Sequence, residues 1–105
     1  MIVTNRSDVA GRKISQDLGI VSGSIAPSRF IVRDIMATIR NMIGREMKEY
    51  TEMMDSAREI AIERMIKNAE NIDADAIVNV RFSGSSASAK SSEIMAYGTA
   101  VRLEL

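Results

Sequence analysis

The stretch from Arg45 to Asn71, REMKEYTEMMDSAREIAIERMIKNAEN, decides the fold. Met47, Tyr50, Met54, Ala57, Ala61, Met65, Ala69 and, just beyond it, Ile72 recur every three or four residues. At about 100° per residue these positions fall within roughly a third of the circumference, the signature of a long amphipathic helix. Glu52, Glu59, Glu63 and Glu70 lie on the opposite side. Met53 with Ile60, and Ile62 with Ile66, widen the apolar arc beyond what one small sheet covers. That excess calls for a second partner surface, such as another subunit.

Toward the N-terminus, Gly44 is a natural stop for a shorter helix. Ile31, Ile35, Ile39 and Met42 recur at helical spacing, and Ser28 after Pro27 suits its N-cap. Leu18 to Ile25, punctuated by Gly19 and Gly23, reads as a strand. Asn5 to Asp17 is polar and reads as a loop, and Met1 to Thr4 is a short apolar start. Toward the C-terminus, Asp73-Ala74-Asp75 ends the long helix. Ala76 to Phe82 is then a strand, with Val78, Val80 and Phe82 on one side and Asn79 and Arg81 on the other. Ser83 to Ser92 is small and serine-rich, as a mobile hairpin loop is. From Glu93 to Leu105 a strict alternation sets Tyr97, Thr99, Val101, Leu103 and Leu105 against Ala96, Gly98, Ala100, Arg102 and Glu104. The order β, β, α, α, β, β predicts an α+β fold, a small antiparallel sheet packed against one long helix plus a shorter one.

Composition narrows the function. The 105 residues suit one domain spanning 1–105, and 14 basic residues balance 14 acidic ones, so no global field draws the chain to nucleic acid or an anionic membrane. No apolar run approaches the roughly 18 residues a bilayer demands, and no basic-then-apolar leader opens the chain, so a cytoplasmic location is expected. Histidine and cysteine are both absent. The usual neutral-pH bases, thiol nucleophiles and soft-metal ligands are therefore missing, and the remaining serines, carboxylates, lysines and arginines form no catalytic constellation.

Leu18-Gly19-Ile20-Val21-Ser22-Gly23, Arg33-Asp34, Ile39-Arg40, Gly44, Tyr50, Ala57-Arg58, Ala74-Asp75-Ala76-Ile77 and Gly98-Thr99-Ala100-Val101 follow one another across nearly the whole chain. Together they resemble the YbjQ family, a group of unassigned function that carries a heavy-metal-binding label. The resemblance implies a dodecin-like β/α fold, a ring-shaped homopentamer and no established catalytic activity. The chain departs from the family in three places. Leu18 stands where members commonly have cysteine, Gly44-Arg45 where they have paired glycines, and Asp73 where a glycine precedes Ala-Asp-Ala. Soft and borderline ions select thiolate and imidazole, whereas this chain offers oxygen donors and thioethers, so no metal site is expected.

Several polar residues stand out as site candidates. Arg29, Arg33 and Arg40 lie on one side of the shorter helix and could hold a phosphate or carboxylate. The simpler reading pairs them with Glu52, Glu59 or Glu63 of the long helix or of a neighbouring subunit. Glu59 and Glu63, one turn apart, could share a hard cation with Asp55 or Glu52, but a row on one helix face does not converge as such ions require. Glu63 and Lys67 have the spacing of an i,i+4 pair. The eight methionines follow the apolar stripe and read as core filler, and Tyr50 as a packing residue with its hydroxyl at an edge. Arg58 and Asn68 fall within or beside the apolar arc, where an unpaired polar group is costly. They meet partners across a subunit interface, with Asp34, Asp73 and Asp75 as carboxylate candidates for Arg58, or they line a polar pocket. Gly98 and Thr99 mark close approach of a ligand or of another backbone, and with Ala96 and Ala100 they make a small-residue face suited to helix packing.

These readings converge on a non-enzymatic homo-oligomer, a pentamer by resemblance, acting as a binding or structural module without cofactor. The chain's expected partner is itself, with no nucleic acid and no membrane. The alternatives are a metal-binding protein, as the family label has it, or a binder of an anionic small molecule at subunit interfaces through Arg29, Arg33, Arg40 and Arg58. Hydrolysis by carboxylates alone ranks last, since no acidic pair stands out as placed for it.

Overall fold

The structure, a computed structural model, describes residues 1–26, 45–86 and 92–105. In chain order these form β1 (Ile2–Val3), β2 (Ile14–Ile25), a long helix α1 (Arg45–Asn71), β3 (Ala76–Ser86) and β4 (Ser92–Leu103). The shorter helix expected before Gly44 lies outside the described residues. The strands make one sheet in the order β1-β3-β4-β2. Among the described residues no helix is long and apolar enough to cross a membrane.

The sheet is mixed, which corrects the expectation of an antiparallel one. β2–β4 and β4–β3 are antiparallel, but β1 runs parallel to β3, with Ile2 opposite Ala76 and Val3 opposite Ile77. Residues 4–13 are the reason. This segment crosses the sheet face opposite α1, burying Val9 against Ala76, Val78, Val101 and Leu103, and so carries the chain from one sheet edge to the other before β2 begins. Two strands at opposite edges cannot form a hairpin. β2 also starts at Ile14, four residues earlier than its Leu18 estimate, and accommodates register shifts at Ile14/Gln16 and Asp17/Gly19. At the second shift Gly19 has φ +95°, and its N–H donates to Asp17 Oδ1 at 2.8 Å.

The helix packs as its stripe dictates. Ala57, Ala61, Met65 and Ala69 are buried at i,i+4 intervals, the last three over Val21, Ile77, Val80, Ala96 and Ala100. Met65 is wholly enclosed, a burial that contributes about 1.5–3 kcal/mol. Ile62 and Ile66 flank this cluster half-buried, while Ile72 is past the helix end and partly exposed. Alanines on the helix and Ala96 and Ala100 on β4 bring helix and sheet close, whereas Gly98 abuts β3. The helix stops in a six-residue cap: Ala74 N–H donates to Ala69 O at 3.1 Å and Asp73 N–H to Glu70 O at 3.0 Å, with Asp73 at φ +60°.

β3 does not alternate as its sequence suggests. Ile77 and Val80 face the helix, whereas Val78 faces Val9 on the opposite side, so Val78 and Val80 do not share a face. Asn79, at φ +54°, is the extra residue of a bulge that interrupts the register between Val78 and Arg81. The N-terminal segment stitches it: Asn79 N–H donates to Arg6 O at 2.8 Å and Val80 N–H to Thr4 O at 3.1 Å. The expected loop at Ser83–Ser92 is strand on both shoulders, through Ser86 and from Ser92, with 87–91 outside the described residues. Serine-rich composition marked flexibility, but cross-strand pairing carries the ladder as far as Ser86 opposite Ser92.

Candidate functional site: a cationic groove at the sheet edge

β2 is an edge strand, and its Ser22-Gly23-Ser24 segment runs directly under α1. Gly23 is buried, and a Cβ there would strike the Met65 nitrogen and the Ala61 carbonyl oxygen. With the helix seated this low, two of its side chains reach over the strand. Arg64 donates from a terminal guanidinium nitrogen to Ser24 O at 2.6 Å, and Asn68 donates from Nδ2 to Ser22 O at 2.7 Å. They lie one turn apart, as Ser22 and Ser24 lie one strand repeat apart, so the two periodicities match locally. Lys67 stands beside them. Together Ser22, Gly23, Ser24, Arg64, Lys67 and Asn68 line an open groove of about 390 Å³.

A second groove of about 290 Å³ lies between α1 and β3, lined by Arg58, Glu59, Ile62, Glu63 and Phe82. Its floor is apolar and its rim carries both signs of charge. Arg58 pairs there with Asp55 at 2.9 Å, an exposed i,i+3 contact worth at most a few tenths of a kcal/mol.

The structure distributes the candidate residues widely. Arg58 is half-exposed and paired within its own helix, not with Asp73 or Asp75, because the apolar arc narrows at that turn to Ala57 and Ala61. Asn68 is exposed and lines the polar groove. Asp75 works inside the fold: its Oδ2 accepts the Leu103 N–H at 2.8 Å and its own N–H donates to Val101 O at 2.9 Å. Gly98 meets another backbone, since a Cβ there would lie 2.8 Å from Val78 O, opposite the Asn79 bulge. Thr99 is half-buried on the other sheet face, between Ile20 and Val78. Arg29, Arg33, Asp34 and Arg40 lie outside the described residues, as does the side chain of Tyr50. The expected Glu63–Lys67 pair is not formed; the ion pairs among the described residues are Arg6–Asp8 and Arg58–Asp55. Sequence reasoning did not single out Arg64, Ser22 or Ser24. The only available signal was Arg64, one turn before Asn68 on the flank of the stripe that meets β2.

The donor set does not fit a soft heavy metal. The chain has neither histidine nor cysteine, and among the described residues no three carboxylates gather into a ligand cluster. Met65, the thioether nearest the groove in sequence, is wholly enclosed in the core.

A family model described as "Putative heavy-metal-binding", YbjQ, matches residues 1–104. A UPF0145 protein of Thermotoga maritima is 46% identical over 99% of this chain and 98% of its own length. One from Thermosipho africanus is 50% identical over 99% and 96%, and one from Vibrio campbellii 47% identical over 98% and 99%. A crystal structure of a protein with unknown function of the DUF74 family, from Pediococcus pentosaceus, superposes with a TM-score of 0.63 at 18% identity, covering 99% of this chain and 98% of that one. That likeness speaks to the fold, a small α+β sheet with one long helix. With its fold, its motif order and these full-length similarities in agreement, the chain belongs to the YbjQ family.

Proposed function

We propose that this chain is the subunit of a ring-forming homo-oligomer, a cytoplasmic pentamer, that works by binding or scaffolding and not by catalysis. The observation that carries this reading is the sheet face opposite α1. On it Ile20 is 82% exposed beside Thr99, and the next row sets Ser22, Tyr97 and Arg81 side by side with Tyr97 37% exposed. Among the described residues, Val9 covers this face at the Ala76, Val78, Val101 and Leu103 end. Ile20 and Tyr97 together give this face apolar surface that contact with a second subunit would bury.

The protomer's shape supports the same reading. Its radius of gyration is 16.7 Å, against about 13 Å for a compact chain of this length, and its extents are 54 × 25 × 18 Å. A second copy is the occupant that such an elongated, charge-balanced protomer favours, since its own mixed-sign surface complements itself. The ring and its five-fold order are what the family resemblance implies. Native mass spectrometry of the gently purified protein tests this directly. A five-subunit mass at micromolar concentration is expected, and Ile20→Asp is expected to shift the population to smaller species while circular dichroism stays unchanged. A monomeric wild-type protein overturns the proposal.

A further inference from the structure

The groove beside β2 has a chemistry of its own. In an antiparallel edge strand, a residue whose carbonyl faces outward carries its N–H on the same side. Ser22 and Ser24 have outward carbonyls, taken by Asn68 and Arg64, so their N–H groups face the same strip. Arg64 spends one N–H on Ser24 and keeps four, and Asn68 keeps one amide N–H. Lys67 adds an ammonium between them. Among the described residues no carboxylate lines the groove, and neither ion pair involves Arg64 or Lys67. The site therefore presents donors from a strand on one side and two cations from a helix on the other. The bond to Ser24 also holds the Arg64 guanidinium in place, which lowers the entropic cost of engaging a ligand.

We propose that this groove binds an oxyanion of the phosphate class, with Lys67 and Arg64 supplying charge and the Ser22 and Ser24 N–H groups supplying direction. A tetrahedral oxyanion offers acceptors to both walls at once, whereas a planar carboxylate would engage one guanidinium fork and leave the strand donors unmet. The groove is open enough for a phosphomonoester as well as for free phosphate.

The test is a titration of the full-length isotope-labelled protein with inorganic phosphate, followed by amide NMR at constant ionic strength, with chloride as control. Saturable shifts at Ser22, Gly23, Ser24 and the Asn68 side chain are expected. Lys67→Glu should weaken binding by about tenfold or more, as loss of a charge-assisted contact does. Lys67→Gln, which removes charge from an exposed site without reversing it, should weaken it less, and Lys13→Glu should not weaken it. Repeating the titration with glycerol 1-phosphate separates the sources: tighter binding points to phosphorylated metabolites, and equal binding to free phosphate. Shifts that fail to saturate, that chloride reproduces, or that persist unchanged in Lys67→Glu overturn the site.

Discussion

Gly23 lies directly beneath Met65, with the helix backbone occupying the space where a Cβ would stand. This one contact sets the height of α1 above the sheet, and with it the reach of Arg64 and Asn68 over the β2 edge. The obstructing atoms are backbone, which cannot rotate away, so Gly23→Ala must lift the helix or bend the strand. A loss of about 3 kcal/mol is expected, the upper end of the range for overpacked cores. Denaturant titration checks it, and an alanine variant as stable as the wild type would mean the helix does not rest on β2.

Gly98 is constrained from the opposite direction. It faces the Asn79 bulge, where a Cβ would press on Val78 O and on the methyls of Ile77 and Val80. Gly98→Ala is expected to cost about 1–3 kcal/mol. Thermal melts check it, and a Gly98→Ala variant as stable as the wild type would mean that β3 gives way at its bulge.

The contrast between these glycines shows what a sequence pattern can carry. The Ala57, Ala61, Met65, Ala69 stripe and the Ala96, Gly98, Ala100 face were readable, because a helix and an undisturbed strand repeat with fixed periods. Val78 was misassigned because one inserted residue, Asn79, flips every position before it relative to those after it. Val9 looked like loop sequence, since a single apolar residue between Asp8 and Ala10 has no period to betray its burial. The parallel pairing of β1 depends on where that loop crosses. Half of the groove's lining is Ser22, Gly23 and Ser24, whose part is played by backbone atoms that side-chain identity does not reveal. Its partners are 40 and 46 residues away in sequence.

Asp73 occupies the left-handed position that closes α1, at φ +60°. Only glycine adopts this conformation without a Cβ penalty, although aspartate tolerates it better than most residues. Asp73→Gly is therefore expected to stabilise the fold by about 0.5–1 kcal/mol, the conformational relief exceeding the extra entropy of an unfolded glycine. Asp73→Val, whose branched side chain suits that region least, should lose at least as much. Chemical denaturation of both variants gives the sign, and a destabilised glycine variant would mean that the Asp73 side chain contributes more than its backbone strain costs.

Asp75 fastens the start of β3 to the end of β4 through the Leu103 N–H at 2.8 Å. Beyond Leu103 the ladder has only Glu104 N–H on Lys13 O at 2.8 Å, so this side-chain acceptor guards the last turn of a strand whose Leu103 is buried against Val9. Removing it leaves that amide without its partner, a loss of about 1.5–3 kcal/mol for a charge-assisted bond. Asp75→Ala is expected to lower stability by that amount and to speed hydrogen exchange at Leu103 more than at Val101, whose carbonyl partner is the Asp75 backbone. Asp75→Asn keeps an oxygen at the same reach and should recover most of the protection. If the asparagine variant exchanges as fast as the alanine one, the contribution of Asp75 is its charge near the strand end and not its geometry as an acceptor.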